Sequence, residues 1–191
     1  MKSFIAAPLL VLTYGVFRLF DGMDGERGPG IAWTLGHLAF LLALGAFAVV
    51  FLAMRRMLGR TPLATTSVAV GFVGLACVAA QFGIDLVNGF VSADHAAMAE
   101  MSLRVKAIPG MSLAIYDAGP YLFYVAQVAL VIQLFLAGKV KVWTPILVLA
   151  DVTMPVISKD LIPVGSVLLL VSFLPLARAT APAARHTLVR A

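Results

Sequence analysis

Long apolar runs separated by short polar connections make up most of the chain. Six runs are candidate membrane spans, at about 4–20, 31–54, 63–90, 120–137, 143–158 and 161–176. A helix needs about 20 residues to cross the hydrocarbon core, and only helices and closed barrels satisfy their backbone hydrogen bonds there. The pattern therefore predicts an all-α, polytopic integral membrane protein, with six transmembrane helices forming a single bundle over residues 1–178.

The last two runs are near the lower limit of length for a span. They are joined by Lys159 and Asp160. A re-entrant hairpin over 143–176 would leave these two charges in lipid, where a charged side chain costs at least about 2.5 kcal/mol. We therefore favour two full spans, and the hairpin is the alternative.

Composition and charge agree with a membrane protein. The chain is 62% hydrophobic and 12% charged, with a mean hydropathy of +1.02, whereas about a quarter of the residues of a soluble domain are charged. The net charge of +5 does not indicate nucleic-acid binding, because the basic residues are confined to short loops and the terminus without interleaved aromatics. The predicted partner is the lipid bilayer, and nucleic acid is not expected as a partner.

The distribution of charge predicts the orientation. If the six runs alternate in direction, one face carries nine of the 14 Lys and Arg residues and none of the nine Asp and Glu residues. Short loops rich in Lys and Arg stay in the cytoplasm, so this face and both termini are expected there. The nine residues are Lys2, Arg55, Arg56, Arg60, Lys139, Lys141, Arg178, Arg185 and Arg190. Residues 179–191 are expected to form a basic, disordered cytoplasmic tail.

The longest connection, 91–118, lies on the opposite face. With Ser92 as N-cap, a helix to Ala107 would place Met98, Met101 and Val105 at helical spacing. The sequence thus allows a helix lying on the membrane surface, with an ordinary solvated loop as the alternative.

Polar residues inside the spans are the candidates for function, and Asp151 is the deepest carboxylate. It lies about 12 Å along its helix from Trp143, near the bilayer midplane. An ionised aspartate is costly there, so Asp151 must be protonated, paired or hydrated. Pro155, four residues later, cannot donate to the Asp151 carbonyl. Ion or proton chemistry and a simple helix kink are both consistent with this arrangement.

The other candidates lie nearer the outer face. Gln81 and Asp85 share a helix face with Asn88, His37 is about 9 Å below the outer boundary, and Gln127 is about 10 Å in. Each also has a structural interpretation, such as a snorkelling Arg18 or a packed His37. The predicted ligand-binding set is Arg18, His37, Gln81, Asp85, Gln127 and Asp151, with Asp85 and Asp151 as candidate catalytic residues.

Metal and cofactor sites are not predicted. The chain has one cysteine, Cys77, and one histidine within a predicted span, so a thiolate metal site or bis-histidine haem ligation within the chain is not expected. The acidic turn 21–26 lacks the ligand spacing of an EF-hand.

Three functions fit these residues. The first is a non-enzymatic membrane protein whose polar pocket, in the extracytoplasmic half, binds a lipid, a small ligand or a partner subunit. The second is a membrane-embedded enzyme that acts on an apolar, isoprenoid-type substrate with Asp85 or Asp151 as general acid. The third is an ion or proton conductor that uses Asp151. The Ala-rich composition, with more Arg than Lys, suggests a bacterial plasma membrane.

Overall fold

The computed structural model describes residues 2–179, and these residues form helices and turns without strands. The expectation for the tail concerns residues that, apart from Ala179, lie outside this range. A π-helical turn, Ser112–Asp117, leads directly into α5, and a 3-10 turn, Lys159–Leu161, leads into α7. The helices are α1 Ser3–Asp21, α2 Ile31–Met57, α3 Pro62–Val91, α4 His95–Lys106, α5 Ala118–Leu136, α6 Trp143–Ile157 and α7 Ile162–Ala179.

Six of the helices form a closed ring. Each packs on its two neighbours in the order α1, α2, α3, α5, α6, α7 and back to α1, and α2 also touches α5 across the ring. The short α4 lies outside the ring and packs on α3. Successive helices of the ring run in opposite directions, so the connections gather at two ends.

The prediction of an all-α membrane bundle is confirmed. Within residues 2–179, five helical segments are long and apolar enough to cross a membrane, whereas α6, with 15 residues, is shorter. The number of six spans therefore stays a prediction. The turn after α6 lies beside the end of α1, because its Asp160 pairs with Arg18 and Arg27, and the choice between two spans and a hairpin over 143–176 also stays open. The five segments are Ser3–Asp21, Ile31–Met57, Pro62–Val91, Ser112–Leu136 and Lys159–Ala179.

Charge divides the two ends as the sequence indicates. One end comprises Lys2, Arg178 and the connections 58–61 and 137–142, and we call it the basic end. The other comprises the segments 22–30, 92–117 and 158–161, and we call it the mixed-charge end. The half of the bundle near the basic end is packed mainly by completely buried apolar side chains, including Phe4, Phe51, Met54, Leu134 and Phe173.

Small residues allow the closest helix contacts. A Cβ atom added to Gly74 of α3 would lie 2.7 Å from the Cα of Phe123 in α5. A Cβ on Gly15 of α1 would lie 2.9 Å from the ring of Pro163 in α7. Glycine at these positions lets the backbones approach, as is usual where helices associate in lipid.

The 91–118 segment contains the predicted helix, but its start differs. Asp94, not Ser92, is the N-cap of α4, because its carboxylate accepts a hydrogen bond from the Ala97 N–H at 2.8 Å. Ser92 instead ends α3, where its N–H donates to the Asn88 carbonyl. The fourth apolar segment also begins earlier than predicted, at Ser112 rather than 120, because the π-helical turn continues into α5.

Candidate functional site

A cavity of about 880 Å³ occupies the centre of the ring. Its lining comes from the middle of each ring helix and from the part that faces the mixed-charge end. All six residues of the predicted ligand-binding set contribute to this one lining, namely Arg18, His37, Gln81, Asp85, Gln127 and Asp151. The structure therefore brings together side chains from α1, α2, α3, α5 and α6 that the sequence placed at similar depth.

A hydrogen-bonded pair forms the deepest polar part of the cavity. Nε2 of Gln127 donates to Oδ2 of Asp151 at 3.4 Å, which joins α5 to α6. Gln127 is only 1% exposed, and its Oε1 has no hydrogen-bond partner. Oδ1 of Asp151 lies beside Gly165 of α7, at 2.9 Å from where a Cβ on that glycine would be. Asp151 is thus wedged between two helices, with Gln127 beside it.

Aromatic side chains surround His37 in the middle of the cavity. Its ring centroid is 4.0 Å from that of Trp33 and 5.0 Å from that of Phe82. The Nδ1–H donates to the Trp33 carbonyl at 2.8 Å, because a carbonyl oxygen can only accept. His37 is 5% exposed. One of its nitrogens is therefore committed within its own helix, and packing holds the ring in place.

Two polar contacts join neighbouring elements of the ring near the mixed-charge end. Asp160 lies 3.5 Å from Nε of Arg18 and 2.8 Å from a terminal nitrogen of Arg27, so one carboxylate serves two guanidinium groups. The hydroxyl of Tyr116 donates to Oδ1 of Asp85 at 3.3 Å and connects the π-helical turn to α3. These contacts link α1 to the 158–161 turn and α3 to the start of α5.

Arg18 is therefore neither freely snorkelling nor paired deep in the bundle. Its side chain is 17% exposed and is directed toward Asp160 at the rim. Tyr116 could not be recognised as a site residue from the sequence, since it falls in what read as a loop. Lys159 also lines the cavity, and its only signal in the sequence was its position between two short spans.

Asn88 and the acidic turn 21–26 do not contribute to the cavity. Asn88 is 3% exposed and donates to the Ser102 hydroxyl at 3.3 Å, which ties α4 to α3. In the acidic turn, Oδ1 of Asp24 accepts from the Glu26 N–H. Within residues 2–179, no group of three or more His, Cys, Asp or Glu side chains could hold a metal ion.

The exposed residues of the lining all belong to one side of the ring. The lining residues from α1, α2, α3 and α7 are buried or half-buried, whereas the exposed ones lie on α5, α6 and the turn after α6. On the two helices they are Tyr121, Val125, Ile132, Leu149, Thr153 and Val156. The cavity is therefore bounded on this side by residues that face the lipid. We call the line between α5 and α6 the α5–α6 seam.

Comparisons of the chain with protein-family models, with curated proteins and with solved structures found no match. The side chains of the cavity offer carboxylate and amide acceptors at depth, guanidinium and ammonium donors near the mixed-charge end, and apolar and aromatic walls between them.

Proposed function

We propose that the protein is a non-enzymatic membrane protein that binds a lipidic small molecule in the ring cavity. The observation that carries this proposal is the cavity itself, whose volume of about 880 Å³ lies within the range of about 300–1,000 Å³ that is usual for ligand sites. Its mainly apolar walls with a few convergent polar groups also have the composition of such a site.

Conduction is less well supported by the arrangement around Asp151. A conductor requires polar groups or water on both sides of this residue. Toward the basic end, the interior described in residues 2–179 is instead filled mainly by completely buried apolar side chains, among them Phe51, Met54 and Leu134. The buried polar side chains on that side, Ser67, Thr144 and Ser172, do not line the cavity, so the cavity does not continue through them, which favours a pocket over a pore.

Catalysis is also less well supported. The candidate general acids, Asp85 and Asp151, each accept a hydrogen bond from a neighbour, Tyr116 and Gln127. Asp85 lies on α3 near the mixed-charge end, and Asp151 lies on α6 at the deep end of the cavity. The two carboxyl groups therefore do not act together on one substrate atom. Both carboxylates are better suited to holding a polar ligand.

The location that fits the charge distribution is a bacterial plasma membrane with the basic end in the cytoplasm. The connections 58–61 and 137–142 hold Lys and Arg but no Asp or Glu, and such connections are retained inside the cell. The cavity would then lie in the extracytoplasmic half of the bilayer, where its ligand would come from the outer leaflet.

Filling the cavity tests the proposal. Val128 is a half-buried residue of the lining, whereas Val73 of α3 is 53% exposed and does not line the cavity. We expect the wild-type protein, stripped of lipid and incubated with a polar lipid extract, to retain a lipid molecule in native mass spectrometry. Val128→Trp should lose the retained molecule, and Val73→Trp should keep it.

Asp151→Asn provides a second measurement. Because the amide keeps the shape of the side chain, we expect normal abundance of the folded protein and weaker lipid retention. Equal retention in Val128→Trp and wild type would overturn the proposal. A bound species with the mass of a polypeptide rather than a lipid would replace it with the partner-subunit interpretation.

A further inference from the structure

The cavity is bordered by polar contacts at one end, packed at the other and loosely closed on one side. At the mixed-charge end, the Arg18–Asp160 contact ties α1 to the turn before α7 and the Asp85–Tyr116 contact ties α3 to the turn before α5, and mainly apolar buried side chains pack the half near the basic end. Apart from Lys159 in the turn after α6, the exposed side chains of the lining all lie along the α5–α6 seam, with Val125 at 59% and Val156 at 68% exposure. The route of least obstruction therefore leads sideways into the bilayer.

The seam is also the weakest junction of the ring. Helices α5 and α6 pack against one another over less of their length than any other pair of neighbours. Glycine brings backbones together at the tight junctions, as Gly74 does between α3 and α5 and Gly165 between α6 and α7. No glycine of the described chain makes such an approach between α5 and α6. These two helices can separate with the smallest loss of contact.

The inner end of this route has a polar atom that the protein does not satisfy. Oε1 of Gln127 is buried without a partner, although the side chain lines the cavity. A buried acceptor without a hydrogen bond costs free energy, so such an atom indicates that a donor from a bound molecule is missing. Beside it, Oδ2 of Asp151 already accepts from Nε2 of Gln127, and Oδ1 of the same carboxyl group adds a second acceptor. The floor of the cavity, formed by Gln127 and Asp151, can therefore accept hydrogen bonds from a ligand that carries donors.

We infer that the ligand is a chain-bearing amphiphile from the bilayer whose hydroxyl or amine end enters between α5 and α6 and donates hydrogen bonds to Gln127 and Asp151. This inference rests on the proposed function and specifies its ligand. The hydrocarbon chain then leaves through the α5–α6 seam, where Val125, Leu149 and Val156 provide an apolar surface continuous with the lipid.

Gln127 and Asp151 also disfavour ligands whose polar end is a phosphate or a trimethylammonium group. A fully ionised phosphate has no donor to offer, and its negative charge would lie beside the carboxyl group of Asp151. A trimethylammonium group carries positive charge but no N–H, so it cannot satisfy Oε1 of Gln127. A hydroxyl or an amine can each donate a hydrogen bond to Oε1 of Gln127. A charged amine is in addition attracted to the carboxyl group of Asp151.

Four probes with the same twelve-carbon chain separate these chemistries. Dodecyl glucoside presents hydroxyls, dodecylamine presents N–H groups, dodecyltrimethylammonium presents charge alone, and dodecyl phosphate presents an anion. With lipid-stripped protein and native mass spectrometry, we expect dodecyl glucoside, dodecylamine or both to bind at least about tenfold more tightly than the other two probes. A tenfold difference corresponds to about 1.4 kcal/mol, the value of a typical hydrogen bond.

Two glutamines of α5 give a matched pair of variants. Gln127→Leu removes the unpaired acceptor and should weaken binding of the preferred probe about tenfold. Gln133 lies six residues further on and donates to Ser67 at 2.9 Å, and it is not part of the cavity lining. Gln133→Leu should therefore leave binding unchanged, and size-exclusion chromatography of both variants verifies that they fold.

The position of the chain is tested with a photoreactive diazirine on the preferred probe. A diazirine next to the polar end should label peptides of α5 and α6 around Gln127 and Asp151. A diazirine at the chain terminus should label bilayer lipid or the outward residues of the seam. Labelling of α1, α2 or α3 by the chain terminus would overturn the lateral arrangement.

The outcomes distinguish the inference from the proposed function. Retention of lipid from the extract, together with equal binding of all four probes or no effect of Gln127→Leu, would refute the donor assignment and leave the binding function intact. Failure of the extract and of every probe to bind would refute both. The selective pattern, with labelling at α5 and α6, supports both.

Discussion

The contact between α3 and α5 at Gly74 gives a prediction whose magnitude follows from the geometry. A Cβ at this position would lie 2.7 Å from the carbonyl carbon of Leu122 and the Cα of Phe123, and closer still to the Phe123 nitrogen. Ordinary contact begins at about 3.4 Å, and the atoms in the way belong to the backbone, so no side-chain rotation relieves the overlap. Gly74→Ala must therefore push the helices apart, and overpacking of this kind costs about 1–3 kcal/mol.

Gly83, on the same helix, is the matched control. A Cβ there meets nothing within 4 Å, so Gly83→Ala should leave stability unchanged or raise it by up to about 1 kcal/mol through helix propensity. Steric trapping in bicelles measures the unfolding free energy of both variants. We expect Gly74→Ala to be the less stable by at least about 1 kcal/mol. Equal stability of the two variants would mean that α3 and α5 do not approach as closely as the structure has them.

Three further predictions concern the rim, the outer helix and the orientation. Asp160→Asn should increase hydrogen exchange in the 158–161 turn, because the turn loses its contacts with the two arginines. The unfolding free energy should change by less than about 1 kcal/mol, since the carboxylate is 47% exposed. Unchanged exchange would contradict the role of the arginine contacts. Asn88→Leu should raise exchange in α4 alone, and equal protection would show that packing suffices to hold this helix. In a Cys77→Ala background, a cysteine at Gly59 should react with an impermeant maleimide only in inside-out vesicles, and labelling in intact cells would reverse the proposed orientation.

The convergence of polar residues was predictable because depth can be counted along a helix. Asp151, Gln127 and His37 lie in three different runs, and a rise of about 1.5 Å per residue places all of them between the outer boundary and the midplane. Polar groups at equal depth in lipid tend to face the bundle interior. The sequence therefore indicated which side chains share a cavity without indicating which helices are neighbours.

Partners at the rim were harder to predict. Arg18 forms an ion pair with Asp160, which is 142 positions away in the sequence. Asp85 accepts a hydrogen bond from Tyr116, a residue that the sequence placed in a loop. Both partners lie in short turns whose conformation depends on the helices they join. The π-helical turn that carries Tyr116 continues directly into α5, and the hydrophobic pattern alone placed the start of this segment at 120.

The α5–α6 seam was not predictable at all, for a reason particular to membrane proteins. In a water-soluble helix, polar residues mark the outward face, whereas in lipid both the outward and the inward face are apolar, so periodicity carries little information. Val125 and Leu130 of α5 illustrate this, since they are 59% and 0% exposed although both are aliphatic. What the sequence does show is where glycine permits close approach, and no glycine among the described residues brings the backbones of α5 and α6 together. The limited contact between these two helices agrees with that absence, and the unpaired Oε1 of Gln127 behind it makes the seam a candidate entrance.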